Sequence, residues 1–259
     1  MTALEQPVAR SFGGAPLAPR PSLLRLARVE LRKAVDTRAG MWLLIVTALA
    51  AVALVVITDA AGKADEQSWG SQFTGTLWVV SMLVPVIGIL LVTSEWSQRT
   101  ALTTFSMVPN RHRAIAAKAV AASALAVVVA LICLVLSAVG AAVGSSPDAW
   151  DLALADVGTG IVYQVATMLI GLAFGLVLMS SPLAIVVYFV LPTVWSILAE
   201  SVHALDGVAN WLELGRTMEP LVEGGVSATE WGHAGTSLLL WLGVPLVLGI
   251  LRLSRHEVK

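Results

Sequence analysis

The chain has 259 residues, of which 57% are hydrophobic and only 13% are charged, and its formal net charge is −1. Soluble domains are about 45–50% apolar and about 25% charged, so this composition argues against a water-soluble fold. The hydrophobic residues fall into blocks of about 20 residues, the length of helix that crosses a bilayer core. A single cysteine, Cys133, excludes an intrachain disulfide.

The N-terminal segment has two parts that differ in pattern. Residues 1–21 are rich in Gly and Pro and lack hydrophobic periodicity, which predicts a disordered cytoplasmic tail. Residues 22–38 predict an amphipathic helix at the membrane interface, with Arg25, Arg28 and Arg32 on its basic face. Because the first hydrophobic block begins only at Met41, we interpret it as a retained span rather than a cleaved signal peptide.

Six hydrophobic segments then follow, and each is long enough to cross a membrane. We place the spans at about 41–58, 73–93, 118–143, 157–179, 182–198 and 235–253. The Pro-Asn pair at 109–110 predicts that the third helix begins at Arg111 and protrudes from the bilayer. Pro182 starts a helix more easily than it continues one, which predicts a tight hairpin between the fourth and fifth spans.

The segment between the fifth and sixth spans, residues 199–234, is too long for a simple turn. Its hydrophobic residues recur at roughly helical spacing, which predicts short helices that re-enter the outer leaflet. Such irregular backbone is tolerated at membrane depth only where protein or water covers it. A flexible polar loop is the alternative interpretation.

The distribution of Lys and Arg predicts the orientation. Fourteen of the 16 lie before the first span, between the second and third, or after the sixth, whereas Lys63 and Arg216 lie on the other side. Positive residues concentrate in cytoplasmic loops, so both termini are expected in the cytoplasm. The predicted fold is therefore an all-α integral membrane protein with six transmembrane helices, N-in and C-in, preceded by an interfacial amphipathic helix.

The sequence lacks several motifs that carry chemistry. It contains no G-x-x-x-x-G-K-[ST] phosphate loop, H-E-x-x-H or G-x-S-x-G, and its four histidines are dispersed. We therefore expect no enzyme activity from this chain alone and no metal site. The predicted span interiors hold no ionisable residue apart from Lys118 and Arg252 at cytoplasmic ends, which argues against an ion-coupled carrier.

One polar stretch, Thr93 to Ala121, reads TSEWSQRTALTTFSMVPNRHRAIAAKAVA. It resembles the permease subunits of the ABC type 2 exporter family, in which an acidic residue precedes a basic or glycine residue and a threonine. A proline, a basic pair and a lysine follow in that family. The residues at the matching positions here are Glu95, Arg99, Thr100, Pro109, Arg111 and Lys118, with Arg113 beside them. Arg99 stands where many members have glycine.

The resemblance implies that residues 94–113 form a cytoplasmic coupling segment that docks on a separate ABC ATPase subunit. That partner would bind ATP and magnesium, whereas this chain would bind no cofactor and no nucleic acid. A second permease copy, most simply in a homodimer, would complete the pathway in the lipid bilayer. The expected location is the cell membrane, as a multi-pass protein of a bacterial plasma membrane, and the expected direction is export.

The cargo is expected to be hydrophobic or amphipathic. A pathway lined by Ser81, Gln164, Thr167, Thr193 and Trp195 offers hydrogen-bonding groups but no charge to offset the desolvation of an ion. Two other functions fit parts of the sequence. A membrane accessory or sensor protein without transport would also lack intramembrane charges, and an ion-coupled carrier would require them.

The predicted topology can be checked by labelling single cysteines in a Cys133→Ala background. Cysteines at Asp65, Asp148 and Gly224 should react with an impermeant thiol reagent added to intact cells, and a cysteine at Gln98 should not, because it lies on the positively charged side. If only the cysteine at position 98 were labelled, the orientation would be opposite to the predicted one.

Overall fold

The computed structural model describes residues 22–62, 66–97 and 111–255, and within these ranges the protein is helical and has no strands. The helices are α1 (Leu23–Asp36), α2 (Arg38–Ala61), α3 (Trp69–Ser81), α4 (Val84–Ser97), α5 (Arg111–Val143), α6 (Leu154–Leu178), α7 (Ser181–Ser201), α8 (Asp206–Leu212), α9 (Leu214–Glu223), α10 (Ala228–Leu238) and α11 (Val244–Arg255). Six helical segments are long and apolar enough to cross a membrane, so the all-α membrane fold is confirmed. The tail 1–21 and residues 98–110 of the coupling segment lie outside the described residues.

The second span is built from two helices, α3 and α4, with a break at 82–83. Pro85 lacks the N–H group that would bond to the Ser81 carbonyl, four residues earlier. The chain instead tightens there, with Leu83 N donating to Val80 O at 3.0 Å and Val86 N to Leu83 O at 3.1 Å.

Helix α6 is the centre of the bundle. About two thirds of its most hydrophobic window is buried (67%), compared with 22% for α2 and 17% for α7. It lies closest to α4, where small residues let the backbones approach. A Cβ atom added at Gly171 would lie 2.2 Å from the Pro85 carbonyl oxygen, and one at Gly88 would lie 2.4 Å from the Met168 carbonyl oxygen. The Gly171-x-x-x-Gly175 pattern thus forms a helix–helix contact within a single chain.

The hairpin predicted between the fourth and fifth spans is confirmed. Helix α6 ends at Leu178, Met179 adopts a left-handed conformation with φ 53°, and α7 begins at Ser181 with Pro182 in its first turn. Two contacts hold this corner: the Ser181 hydroxyl lies 2.7 Å from that of Thr93, and Arg252 donates to the Val177 carbonyl. The corner therefore joins α4, α6, α7 and α11.

At the opposite end of the bundle, polar contacts tie the first three spans together. Gln67 donates to the Asp59 carbonyl at 3.2 Å and accepts from the Ser145 N–H at 2.8 Å. The Gln72 amide donates to Asp59 Oδ1 at 2.8 Å. These bonds connect the ends of α2 and α5 that lie away from α1 to the start of α3.

The segment between the fifth and sixth spans contains a short 3₁₀ turn, α8, α9 and the start of α10. Met218, Leu221 and Val222 of α9 are buried against the bundle. The Trp241 indole donates to the Leu212 carbonyl at 2.8 Å, and Trp241 lies 13 residues after Ala228. At 1.5 Å per residue, Leu212 therefore lies at the level of a point about 20 Å along the last span from its start at Ala228. Its depth in a bilayer stays a prediction.

The last span is longer than predicted and contains a π turn. Helical structure runs from Ala228 to Arg255, and a π turn occupies Leu239–Gly243. Pro245 lies two residues after this turn and has no N–H group to donate, and the wider π turn places the missing donor where the regular α-helical bonding is already interrupted.

The close contact between α4 and α6 generates a prediction with a matched control on the same helix. Gly171→Ala should destabilise the protein by about 1–3 kcal/mol, because the backbones must separate to admit the methyl group. Gly158→Ala should leave stability unchanged or raise it by up to about 1 kcal/mol, since a Cβ atom there meets nothing within 4 Å and Ala favours the helix over Gly. Thermal unfolding of the purified protein in detergent measures both, and equal midpoints for the two variants would contradict the assigned contact.

Candidate functional site

The short helix α1 is fixed next to the first span by a shared residue. Ser22 caps its start by accepting from Arg25 N at 3.3 Å. Thr37 ends α1 and also caps α2, accepting from Gly40 N at 3.2 Å in an extended conformation with ψ 139°. A single extended residue changes the chain direction, so α1 lies against the inner ends of the spans, by which we mean the ends on the α1 side.

Helix α1 turns three small or acidic residues toward the protein. Ala27, Glu30 and Ala34 are buried and share one face at helical spacing. The two alanines allow α1 to approach α5 closely, and Glu30 is the polar side chain directed into this contact. A buried carboxylate requires a partner, because an isolated buried charge is strongly unfavourable.

Four side chains from three helices supply these partners and form a charge cluster, which consists of Glu30, Lys33, Glu95 and Lys118. Lys118 Nζ lies 2.5 Å from Glu30 Oε2 and 3.0 Å from Glu95 Oε1. Lys33 Nζ lies 2.8 Å from Glu30 Oε1 and 3.0 Å from Glu95 Oε1. Each lysine therefore bridges both carboxylates, and the four charges sum to zero.

The two lysines differ in their surroundings. The Lys118 side chain is 7% exposed and also donates to the Leu91 carbonyl at 3.0 Å, whereas the Lys33 side chain is 45% exposed. Partial burial by itself lowers the pKa of Lys33, but hydrogen bonding and attraction to Glu30 and then Glu95 outweigh it, so the pKa is raised above its ordinary value. Lys33 is thus positively charged at neutral pH.

The charge cluster occurs at both edges of the coupling segment. Glu95 lies two residues before the end of α4, and Lys118 lies seven residues after the start of α5. Residues 98–110 connect these helices in the chain. Glu30 and Lys33 add α1 to the same point, so three elements at the inner side of the protein meet in one set of ion pairs.

Among the residues assigned to coupling, the structure describes some and not others. Glu95 is 8% exposed and lies in the charge cluster, rather than on an open surface. Arg113 is half-buried in the first turn of α5, and Arg111 begins that helix, although its side chain lies outside the described residues. Arg99, Thr100 and Pro109 also lie outside the described residues.

The predicted interfacial residues Arg25, Arg28 and Arg32 are all exposed on α1. Arg32 pairs with Asp36 at 3.3 Å, one turn away, and both side chains are largely exposed. An exposed pair of this kind contributes little to stability. The basic face is therefore directed away from the charge cluster.

The residues suggested as pathway lining occupy different environments in the single chain. Gln164 and Thr167 are buried inside α6, and the Thr167 hydroxyl donates to the Gln164 carbonyl at 3.0 Å. Ser81 donates to the Trp78 carbonyl at 2.7 Å. Thr193 is exposed on α7, and Trp195 is half-buried beside it. The five side chains thus range from buried to exposed, and their lining role stays a prediction.

Sequence reasoning missed Glu30 and Lys33. A signal was present, because Glu30 falls within the hydrophobic arc of α1, between Ala27 and Ala34 at helical spacing. An acidic residue on the apolar face of an amphipathic helix needs a basic partner. Lys118 was the one lysine noted at the inner end of a span, and pairing the two would have predicted the contact.

The described part of the chain contains no group of three His, Cys, Asp or Glu residues placed to hold a metal ion. The chain matches no protein-family model, and no curated protein is significantly similar to it.

The charge cluster predicts that its members contribute unequally to stability. Lys118→Met should destabilise the protein by about 3–5 kcal/mol, because it leaves a buried carboxylate pair with one lysine. Lys33→Met should cost less, since its ammonium is partly hydrated. Thermal unfolding of the purified variants in one detergent gives the order.

A charge-swapped variant separates the loss of an ion pair from the loss of a side chain. Reversing all four charges, with Glu30→Lys, Lys33→Glu, Glu95→Lys and Lys118→Glu, keeps the net charge and every contact of opposite charge, so it should recover part of the stability that Lys118→Met loses. If Lys118→Met unfolds at the temperature of the unmodified protein, the buried ion pairs are not what holds α1 in place.

Proposed function

We propose that this chain is the membrane-spanning permease subunit of an ATP-driven exporter of the ABC type 2 class. In this proposal a separate ATPase subunit binds ATP and magnesium and docks on the coupling segment. A second permease copy completes the pathway in a cell membrane. This chain contributes cargo binding and movement, and it carries out no bond chemistry.

The charge cluster is the observation that supports the proposal most directly. A subunit pushed by an external motor needs a firm connection between the surface that receives the force and the spans that move. Glu95 and Lys118 link the two helices that flank residues 98–110, at 3.0 Å. Glu30 and Lys33 link α1 to the same point. A force on the coupling segment would therefore act on α1, α4 and α5 together.

Contacts beyond the charge cluster offer a route into the rest of the bundle. Helix α4 is packed against the central helix α6 with no space for a side chain at Gly88 or Gly171. The Thr93 hydroxyl lies 2.7 Å from the Ser181 hydroxyl at the start of α7. A shift of α4 would thus displace α6 and α7, since close-packed helices move as units rather than deform.

The proposed cargo is hydrophobic or amphipathic. An apolar groove of about 550 Å³ lies between α6, α7 and α11, and its lining includes Phe174, Leu191, Trp195 and Leu248. This volume is within the range of about 300–1,000 Å³ that is common for small-molecule sites. A groove of this composition favours acyl chains or ring systems over small ions, which require polar groups to replace their water.

The test is reconstitution with a cognate ATPase. The first candidate is a protein with a phosphate loop whose gene lies next to the gene for this chain. The purified chain should hydrolyse no ATP alone, and the co-purified complex in proteoliposomes should hydrolyse ATP with stimulation by amphiphiles. Hydrolysis by the isolated chain, or stimulation only by small hydrophilic ions, would contradict the assigned roles.

A charge reversal in the coupling segment tests the docking surface. Arg99→Glu combined with Arg111→Glu should lower cargo-stimulated hydrolysis at least tenfold, because reversing charges at an interface costs several kcal/mol. Lys63→Glu, on the opposite side of the membrane, is the control and should leave activity unchanged. Normal transport by the double variant at normal expression would exclude docking through this segment.

A further inference from the structure

Helix α1 presents three distinct faces. Ala27, Glu30 and Ala34 are buried against the protein. Leu24 and Val35 are exposed and apolar, with exposed fractions of 76% and 42%. The third face carries Arg25, Arg28 and Arg32, spaced three and four residues apart, which places them in one row along the helix. The apolar and basic faces are thus uncovered by the described part of the chain.

The position of the charge cluster gives the level of α1 in the membrane. Lys118 lies 25 residues before the outer end of α5 at Val143. At 1.5 Å per residue this is about 38 Å, which exceeds the hydrocarbon thickness of about 30 Å. Lys118 is bound to Glu30, so α1 lies at the level of the lipid headgroups, with its apolar face available to the acyl chains.

The charges on the basic face are largely uncompensated. Within the described residues, Arg25 and Arg28 form no ion pair, and Arg32 is paired only with the exposed Asp36. Lys33 forms ion pairs with Glu30 and Glu95 and therefore adds no net charge to this face. The row therefore presents about two net positive charges beside an apolar surface, an arrangement that complements an anionic headgroup above its acyl chains.

We propose that the row formed by Arg25, Arg28 and Arg32 is a binding surface for anionic phospholipid headgroups of the leaflet in which α1 lies. The headgroup phosphates contact the guanidinium groups, which bind phosphate in a bidentate manner. The acyl chains pack on the side that carries Leu24 and Val35. This surface requires neither an ATPase partner nor transport, so it stands or falls separately from the proposed function.

The binding test uses the full chain, purified alone in detergent, with phosphatidylglycerol or phosphatidylcholine added and bound lipid counted by native mass spectrometry. Each basic residue near an anionic surface strengthens binding about fivefold, so two uncompensated arginines predict a preference for phosphatidylglycerol of at least tenfold. The Arg25→Gln, Arg28→Gln, Arg32→Gln variant should lose this preference, and the matched variant with lysine at the three positions should keep most of it.

A spin label at Leu24, in a Cys133→Ala background, supplies a second measurement in nanodiscs. The label should lie deeper in phosphatidylglycerol than in phosphatidylcholine, and the glutamine variant should abolish the difference. Equal affinity of the unmodified chain for both lipids overturns the proposal, as does a preference that survives in the glutamine variant. A requirement for the arginines that appears only when an acidic protein partner is added overturns it as well.

Discussion

Charges at the edge of a low-dielectric bundle must be neutralised, and this requirement organises the inner side of the protein. Glu30, Glu95 and Lys118 are each at most 10% exposed as side chains, and none could remain charged there alone. Their pairing is reciprocal, because each carboxylate contacts two lysines. The position of α1 is therefore specified by electrostatics as well as by the alanine contacts, which are too small to orient a helix by themselves.

The same pairing makes the connection between α1, α4 and α5 firm. Ion pairs of this kind are costly to separate one at a time, but the four groups can move together without losing a partner. The glycine contacts between α4 and α6 have the corresponding property, since backbones in contact leave no side chain to yield. The inner half of the bundle thus combines the charge cluster with the closely packed helices α4 and α6.

Much of the fold could be predicted from the sequence because hydropathy and proline act locally. The six spans, the helix start at Arg111 and the hairpin before Pro182 all follow from residues within a few positions of each feature. Two irregular features were harder to predict from the sequence: the division of the second span at 82–83 and the π turn at Leu239–Gly243. Both depend on the hydrogen-bond register, which packing determines together with the nearby proline.

The candidate site was only partly predictable, since it joins residues distant in sequence. Glu95 and Lys118 were identified in the sequence as isolated features, but Glu30 is 88 positions away from Lys118 and its role depends on where α1 docks. Gln164 and Thr193 illustrate the converse, because residue type alone could not separate a buried position on α6 from an exposed one on α7.

The π turn in the last span has a consequence for how this helix tolerates insertion and deletion. A π turn is equivalent to one extra residue in an α-helix, and one residue corresponds to a rotation of about 100°. The face of α11 that carries Arg252 to the Val177 carbonyl and Gly249 against Leu176 is therefore set by that extra residue. Deleting one residue from Leu239–Gly243 would restore a regular helix and keep this face toward α6, whereas a regular helix of unchanged length would turn the face by about 100°.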